Sequence, residues 1–366
     1  MDNNTPIIVW MRRDFRLHDN PALKSAEETG RPVIPVFILD EVIETFGAAP
    51  KWRLDQAIQC FQASLGNIGS RLIIRQGNAL DTLAELIKET GAQSVYWSRA
   101  YDPKAISRDK KIKLGLKSLD IEARSFKGFL VFEPWLAKTK AGTFFKVYSP
   151  MWRALQAISV DPEVLDVSRL QTPEKWPKSV DLKTLELSQG MGRGGKVVHK
   201  YANIGEQNAI KRLNEFLEEK IDQYKDRRDN LGEDFNSGLS ENLTWGEISA
   251  RKMWFAAENA KRIGLRGAEH FQKEIAWREF GYHLFYHTPQ IETENWRSEW
   301  NNFTWKGDCE DAELWRQGRT GEPLIDAAMR ELYITGKMHN RARMLVASYL
   351  TKHLLIDWRV GKAWFE

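Results

Sequence analysis

The chain has 366 residues, 42% of them hydrophobic and 28% charged, which is the composition of a folded protein long enough for two domains. Its 54 basic and 50 acidic residues leave a net charge of +4, too small an excess to indicate nucleic-acid binding on its own. Cys60 and Cys309 lie far apart, which excludes a cysteine metal site and a disulfide framework and is typical of a reducing compartment. The sequence shows neither a secretory signal pattern nor an apolar run of membrane-spanning length, so we expect a cytoplasmic protein without a membrane partner.

Short apolar runs alternate with helical patterns in the first third of the chain. The predicted strands are Ile7–Met11, Val33–Leu39, Arg71–Arg75, Ser94–Trp97 and Ile121–Phe126, and the predicted helices are Asn20–Thr29, Lys51–Leu65, Leu80–Glu89 and Pro103–Leu119. Strands separated by helices at this spacing predict a doubly wound, Rossmann-like parallel sheet that is covered on both faces. Asp19 or Asn20 before Pro21 is a favoured helix start.

The alternation ends near Val131, and we predict an α/β domain over 1–131 and a connecting segment over 132–205. The glycines of 190–195 do not follow a strand, so we interpret them as flexible linker and not as a dinucleotide fingerprint. Beyond this segment every strong pattern is helical, which predicts an all-α domain over 206–366. Its helices are expected at Glu206–Lys225, Gly246–Lys261, Gly267–His287, Ala312–Gln317, Pro323–Thr335 and His339–Trp358.

The first stretch whose residues suit a catalytic or binding role is 272–280. On a helix, Glu274, Trp277 and Arg278 fall on one face, so a carboxylate, an indole and a guanidinium can act together. For this pattern alone, a surface ion pair beside a core tryptophan is the simpler interpretation.

A second stretch, 337–344, holds Asn340, Arg341, Arg343 and Met344 within two helical turns. Residues 334–366 carry six Lys or Arg against two acidic residues, a local net charge of +4 that equals that of the whole chain. A phosphate-binding face requires such clustering, and arginine suits bidentate phosphate contacts. A solvated basic helix face explains the same pattern.

A third group combines Tyr224 and Arg228 with the run 236–240. Hydroxyl residues around a glycine can direct side-chain oxygens and backbone N–H groups at a phosphate, although a plain turn is the alternative. The seven histidines show neither metal-site nor triad spacing. His283 and His287, four residues apart, are interpreted as packing residues, and we predict no metal.

Five stretches taken together resemble the photolyase/cryptochrome flavoprotein family, in that family's order and across almost the entire chain. They are Trp10–Pro21, Trp277–Phe280, Gly318–Gly321, Met338–Arg341 and Leu354–Arg359. The resemblance implies light-driven repair of DNA that contains pyrimidine dimers, by a monomer that holds FAD in its helical domain. The damaged nucleotides would be flipped out of the duplex. It also implies an antenna chromophore in the α/β domain, which in this family is a folate, a deazaflavin or a flavin.

The resemblance assigns roles to individual residues. FAD binding is expected of Tyr224, Asn236, Ser237, Gly238, Leu239, Ser240, Phe271, Arg278, Asn340 and Arg343. Glu274 matches the acid that hydrogen-bonds the dimer, and Trp277 matches the indole that stacks on it. The DNA or lesion side is expected to include Arg228, Arg341 and Met344. Trp358 and Trp305 match the middle and outer members of the tryptophan chain that photoreduces FAD.

The Met338–Arg341 motif, followed by Met344, resembles class I photolyases that repair cyclobutane dimers, and it argues against the (6-4) enzymes. A cryptochrome-like photoreceptor and an inactive remnant are the alternatives. Departures from the family pattern are Lys337 for Trp, Asn236 for Thr, and Glu241-Asn242 for Pro-His. The sequence also stops at Glu366, before a family segment that encloses the flavin. We therefore expect an incomplete helical domain that packs poorly, binds FAD weakly or not at all, and repairs no dimers.

Overall fold

A computed structural model describes residues 5–366. The strands are β1 Ile7–Met11, β2 Val33–Leu39, β3 Ile73–Gln76, β4 Ser94–Ser98 and β5 Glu122–Phe126. The helices are α1 Pro21–Glu27, α2 Ala48–Asn67, α3 Ala79–Thr90, α4 Pro103–Ser118, α5 Tyr148–Leu155, α6 Gly192–Val198, α7 Glu206–Glu219, α8 Tyr224–Arg227, α9 Ser240–Trp245, α10 Ala250–Arg262, α11 Ala268–His287, α12 Glu310–Arg316, α13 Pro323–Thr335, α14 Asn340–Ser348 and α15 Trp358–Phe365.

The five strands form one parallel sheet in the order β3-β2-β1-β4-β5. Every residue of β1, β2 and β4 is buried, as a parallel sheet with helices on both faces requires. The predicted architecture, an α/β domain followed by a helical part, is confirmed. The third strand begins two residues later than predicted, because its pairing with β2 starts at Ile73 opposite Val36.

Asp19 and Asn20 have different structural roles at the start of α1. Asn20 is the N-cap and accepts a hydrogen bond from the backbone N–H of Leu23 at 3.2 Å, as the sequence predicts. Asp19 has a positive φ of 46° and forms a buried ion pair with Arg251 of α10. The first turn of the α/β domain is thereby joined to the helical part.

The glycine-rich stretch 190–195 is not a flexible linker, which corrects the interpretation made from sequence. It forms a turn of 3₁₀-helix and the first half of α6. A Cβ atom at Gly195 would lie 3.0 Å from Nε1 of Trp52, so this glycine lets α6 approach α2 closely. Close packing, and not freedom of the backbone, explains its presence.

Two predicted helices are broken, and the one predicted from Gly246 starts only at Ala250, each where the backbone changes direction. The helix expected over 206–225 ends at Glu219 and resumes as α8. Gly246 has a φ of 67° and ends α9, and α10 starts after a new N-cap at Ser249. The helix expected over 339–358 passes into a π-helical turn at Tyr349–His353 and stops near Leu355, whose φ is 57°.

The helical part has two cores. A large apolar cluster joins α5 and α7 to α11, and a smaller one joins α12 to α15. The expectation of poor packing is therefore wrong for α7–α11. Exposed large apolar side chains are nevertheless frequent from α11 onward, namely Trp277, Trp296, Trp300, Phe303, Leu324, Tyr333, Ile334, Met344, Leu345, Leu355 and Trp364. Over 5–366, no helix is both long enough and apolar enough to cross a membrane.

Candidate active site

Helix α11 supplies the centre of the site. It begins at a close approach of two chain segments, because a Cβ atom at Gly267 would lie 1.9 Å from the carbonyl oxygen of Ile221. Trp277, one of its residues, is 48% exposed. One face of this indole is covered by the ring of Tyr148, with the centroids 3.7 Å apart and the planes within 9°. The other large aromatic neighbour, Phe280, meets the indole edge-on at 5.8 Å.

Glu274 lies one turn before Trp277 and is held by a buried arginine. Nη1 of Arg228 forms an ion pair with Oε1 of Glu274, and its guanidinium lies 5.3 Å from the ring of Tyr224. Nε2 of His270 lies 3.8 Å from the same carboxylate oxygen. The second oxygen, Oε2, has no hydrogen-bond partner in the described part of the chain, so it remains available as an acceptor.

Arg341 joins this ion pair to α14. Its guanidinium makes a bidentate pair with Asp229 at 2.9 and 2.6 Å, and these hydrogen bonds lower the pKa of Asp229. Nε2 of His339 donates to the carbonyl of Arg228 at 2.8 Å, while its Nδ1 accepts from the N–H of Arg341 at 3.1 Å. The structure therefore brings three predicted residues, Arg228, Glu274 and Arg341, into one ionic network.

Arg278 is directed elsewhere. Its guanidinium donates to Glu279 at 2.8 Å and to the carbonyl of Phe129 at 3.1 Å. The surface pair between Glu274 and Arg278 that the helical pattern indicates is thus not formed, because Glu274 pairs with Arg228 instead. Arg278 joins α11 to the end of the α/β domain.

The predicted FAD residues fall into two environments. Tyr224 and Phe271 are buried against Phe216, with ring centroids 5.2 and 4.7 Å from it, and burial raises the pKa of Tyr224. In the run 236–240, Leu239 is buried, and the carbonyl of Gly238 accepts a hydrogen bond from Arg212 at 2.9 Å.

Several polar groups of this region have no protein partner within 5–366. They are the amide of Asn236 and the hydroxyls of Ser237, Ser240 and Tyr224. On α14, the Arg343 guanidinium has no acidic partner among those residues but lies 5.1 Å from the ring of Phe365, and partial burial lowers its pKa. Within 5–366, the amide of Asn340 has one hydrogen-bond partner, Sδ of Met344 at 3.9 Å. Hydroxyls, amides and an unpaired guanidinium are the groups that bind phosphates and sugars, so the donor set fits FAD.

The two predicted redox tryptophans lie on adjacent segments. Lys306 pairs with Ile356 in a short parallel bridge, which places Trp305 and Trp358 close to the same joint. Nε1 of Trp305 donates to the carbonyl of Trp300 at 3.1 Å, and Nε1 of Trp358 donates to Asn295 at 2.8 Å. Both indoles are therefore held by hydrogen bonds.

A second concave site lies in the α/β domain, where the family resemblance implies an antenna chromophore but the sequence identifies no residues for it. A pocket lies beyond the carboxyl ends of β1, β2 and β4, where a parallel sheet with this strand order binds ligands. Its lining includes Arg12, Arg13, Phe46, Arg99, Tyr101 and Phe129. The signal was the pair Arg12-Arg13 at the end of the first strand. No cluster of three or more potential metal ligands occurs in the part of the chain that the structure describes.

Comparison with known proteins gives the family. Residues 7–173 match the DNA photolyase domain, and residues 271–366 match the FAD-binding domain of DNA photolyase. A deoxyribodipyrimidine photo-lyase of Agrobacterium fabrum is 40% identical over 99% of this chain and 76% of its own length. Cryptochrome-2 of Arabidopsis thaliana is 33% identical over 100% of this chain and 62% of its own length.

Solved structures agree with these matches. A bacterial class III photolyase from Agrobacterium tumefaciens superposes with a TM-score of 0.92 at 39% identity, covering 99% of this chain and 76% of that one. An archaeal photolyase from Sulfolobus tokodaii, described with two FAD molecules, superposes with a TM-score of 0.82 at 29% identity, covering 99% and 78%. The fold, the matched FAD-binding domain and the relatives all point to one family. The chain therefore belongs to the photolyase/cryptochrome family.

Proposed function

We propose that this protein is a photolyase that repairs cyclobutane pyrimidine dimers in DNA, using light and reduced FAD. The observation that carries the proposal is the arrangement on α11, where a half-exposed indole lies beside a carboxylate that Arg228 holds in place. An arginine of α14 completes the group. Deoxyribodipyrimidine photo-lyases among the relatives support the same reaction.

The residues of α11 suit a flipped-out dinucleotide. Trp277 offers a flat apolar surface on which a base can stack. Glu274 is held by its ion pair with Arg228, and its unpartnered Oε2 can accept the imide N–H of a pyrimidine. Buried Arg228 holds Glu274, and half-buried Tyr148 covers one face of Trp277, so little order has to be created when the lesion binds.

FAD, when bound, supplies the electron that opens the cyclobutane ring after absorbing light. Arg343 and Asn340 on α14 would hold its phosphates and flavin ring, and the run 236–240 would hold its ribose and phosphates. Their unpartnered donors support this assignment. Arg341 and Met344 lie one turn or less away and would contact the DNA.

A second chromophore would bind in the α/β cavity. Its arginines and aromatic rings suit a flat, anionic molecule. The archaeal relative described with two FAD molecules supports a light-harvesting role. We further propose that the protein acts as a monomer in the cytoplasm, which size-exclusion chromatography and cell fractionation would test.

The deciding experiment is illumination of the purified protein with an oligonucleotide that carries one thymine dimer. In contrast to the expectation from sequence, bound flavin and light-dependent loss of the dimer are expected, because α7–α11 share a buried core. An oligonucleotide with a (6-4) product should stay unchanged. A blue-light photoreceptor is the second candidate, because a plant cryptochrome is 33% identical. Bound flavin that responds to light without any repair would favour that candidate and contradict ours.

A further inference from the structure

Residues 134–155, here called the basic strip, form a surface that is not among the residues assigned to the proposed site. The strip contains Lys138, Lys140, Lys146 and Arg153 and no acidic residue. All four side chains are exposed, and none forms an ion pair with any residue of 5–366. A solvated surface explains this charge equally well. Whether the strip binds a ligand therefore depends on where it lies in the structure.

Three contacts fix the strip along α11. Phe144 stacks on His287 at 4.9 Å and within 8°. The backbone N–H of Phe145 donates to Nε2 of His283 at 3.0 Å. Tyr148 stacks on Trp277. Because 144, 145 and 148 meet 287, 283 and 277 in that order, the strip runs antiparallel beside the helix.

The tip of the strip is an ordered turn. The N–H of Thr139 donates to the carbonyl of Thr143 at 2.8 Å, and the two hydroxyls lie 2.8 Å apart. Gly142 supplies the positive φ of 75° that the turn requires. Lys138 and Lys140 lie at this turn, and Lys146 lies two residues before Tyr148.

We propose that the basic strip is a DNA-strand contact surface, in which Lys138, Lys140 and Lys146 contact phosphates of the strand that carries the lesion. The inference rests on the proposed function, since Trp277 marks where the lesion lies. Three exposed cations without acidic partners in 5–366, on a strip that runs along α11 away from that indole, suit a polyanion that extends away from the lesion. A phosphate contact of this kind positions the duplex without reading its bases.

The test compares two triple variants of equal charge change. K138Q/K140Q/K146Q removes the strip lysines, and K88Q/K111Q/K117Q removes three exposed lysines of α3 and α4. DNA affinity is measured in the dark between low and moderate salt. Each lost phosphate contact lowers the slope of log K against log salt by about 0.9 for duplex DNA, so we expect the strip variant to lose about two to three units and the control to lose none.

The strip variant should bind damaged and undamaged DNA more weakly by the same factor, because phosphates carry no information about the lesion. An unchanged slope, or an equal fall in both triple variants, would overturn the inference. Trp277→Ala is measured in parallel. If it leaves the preference for damaged DNA intact, the proposed lesion site fails, whatever the lysines do.

Discussion

Tyr148 and Trp277 form a parallel stack, 3.7 Å between centroids and 9° between planes. The hydroxyl of Tyr148 donates to the carbonyl of Lys273 at 2.8 Å, which is the carbonyl that lies one α-helical turn before Trp277. Burial raises the pKa of Tyr148, so the hydroxyl stays protonated and able to donate. The indole thus has one face fixed against the protein and one face free for a ligand.

Replacing Trp277 by alanine should weaken binding of dimer-containing DNA. Base stacking on an aromatic side chain is worth about 1–3 kcal/mol, which sets the expected loss. Bound flavin should hardly change, because Trp277 lies outside the predicted FAD residues. Fluorescence anisotropy with damaged and undamaged oligonucleotides measures the effect, and equal affinity of variant and parent for damaged DNA would rule out the stacking role.

Tyr148→Ala should also weaken binding of damaged DNA, but by less. An aromatic pair contributes about 0.5–1.5 kcal/mol beyond its buried area, and the loss comes through the position of Trp277. Tyr148→Phe keeps the stack and loses only the hydroxyl bond, so it should bind nearly as well as the parent. Combined with Trp277→Ala, the tyrosine change should have no further effect. Tighter binding by Tyr148→Ala would mean that Tyr148 blocks the lesion.

Glu279 should make the protein less stable as the pH rises. Burial raises its pKa from 4.5 to about 7, even though the backbone N–H groups of Val131 and Phe132 and the Arg278 guanidinium donate to it. Because the folded state then binds more protons than the unfolded state, the free energy of unfolding falls between about pH 5 and pH 8. At about 1.4 kcal/mol per pKa unit the loss reaches roughly 3 kcal/mol.

Glu279→Gln removes this titration. Urea unfolding at pH 5 and pH 8 should show a smaller decrease in stability for the variant than for the parent. Equal decreases in the two proteins would show that Glu279 is ionised in the folded state throughout this range. The variant's absolute stability decides nothing, since the amide changes the contacts with Arg278 as well.

The sequence predicts the sheet well because each buried strand is an uninterrupted apolar run. It also places Glu274 and Trp277 on one helix face. The ion-pair partner of Glu274 cannot be predicted from the sequence, because Arg228 is 46 positions away. Only the packing of α8 against α11 brings the two residues together. Arg278 was assigned to the wrong neighbour for the same reason, because the carbonyl of Phe129 belongs to a distant loop.

The breaks in predicted helices have a local cause that patterns of apolar residues do not reveal. Leu355 adopts a positive φ, which its side chain disfavours and which sequence does not signal. The basic strip was hidden for a different reason. It lies in a segment predicted to be a connection. Only its contacts with α11 show that its lysines belong to a strip that runs along the helix of the proposed lesion site.

Arg341 should contribute one phosphate contact. Arg341→Ala is expected to weaken DNA binding for damaged and undamaged DNA alike and to lower the salt slope by about one unit. Asp229→Asn is the matched variant, because it releases Arg341 and removes a negative charge, so it should strengthen binding. Since the pair is exposed, either change should alter stability by less than about 1 kcal/mol. If Arg341→Ala leaves the slope unchanged, its guanidinium serves only the pair with Asp229.

Arg343 should bind FAD and contribute little to the fold. Its guanidinium has no acidic partner in 5–366 and contacts the ring of Phe365 at 5.1 Å, so Arg343→Ala leaves no acidic group unpaired and should lower the unfolding midpoint of the flavin-free protein only slightly. A charged hydrogen bond contributes about 1.5–3 kcal/mol, and we expect FAD affinity to fall by a corresponding factor of roughly 10 to 100. Lys352→Ala, which removes an exposed and unpaired cation from the same basic stretch, is the control for net charge. Flavin fluorescence during equilibrium dialysis measures both variants.

If the two lose FAD equally, the effect is one of overall charge and the assignment of Arg343 to the cofactor is wrong. A loss confined to Arg343→Ala, with a nearly unchanged unfolding midpoint, would show that this guanidinium without an acidic partner is kept for a ligand.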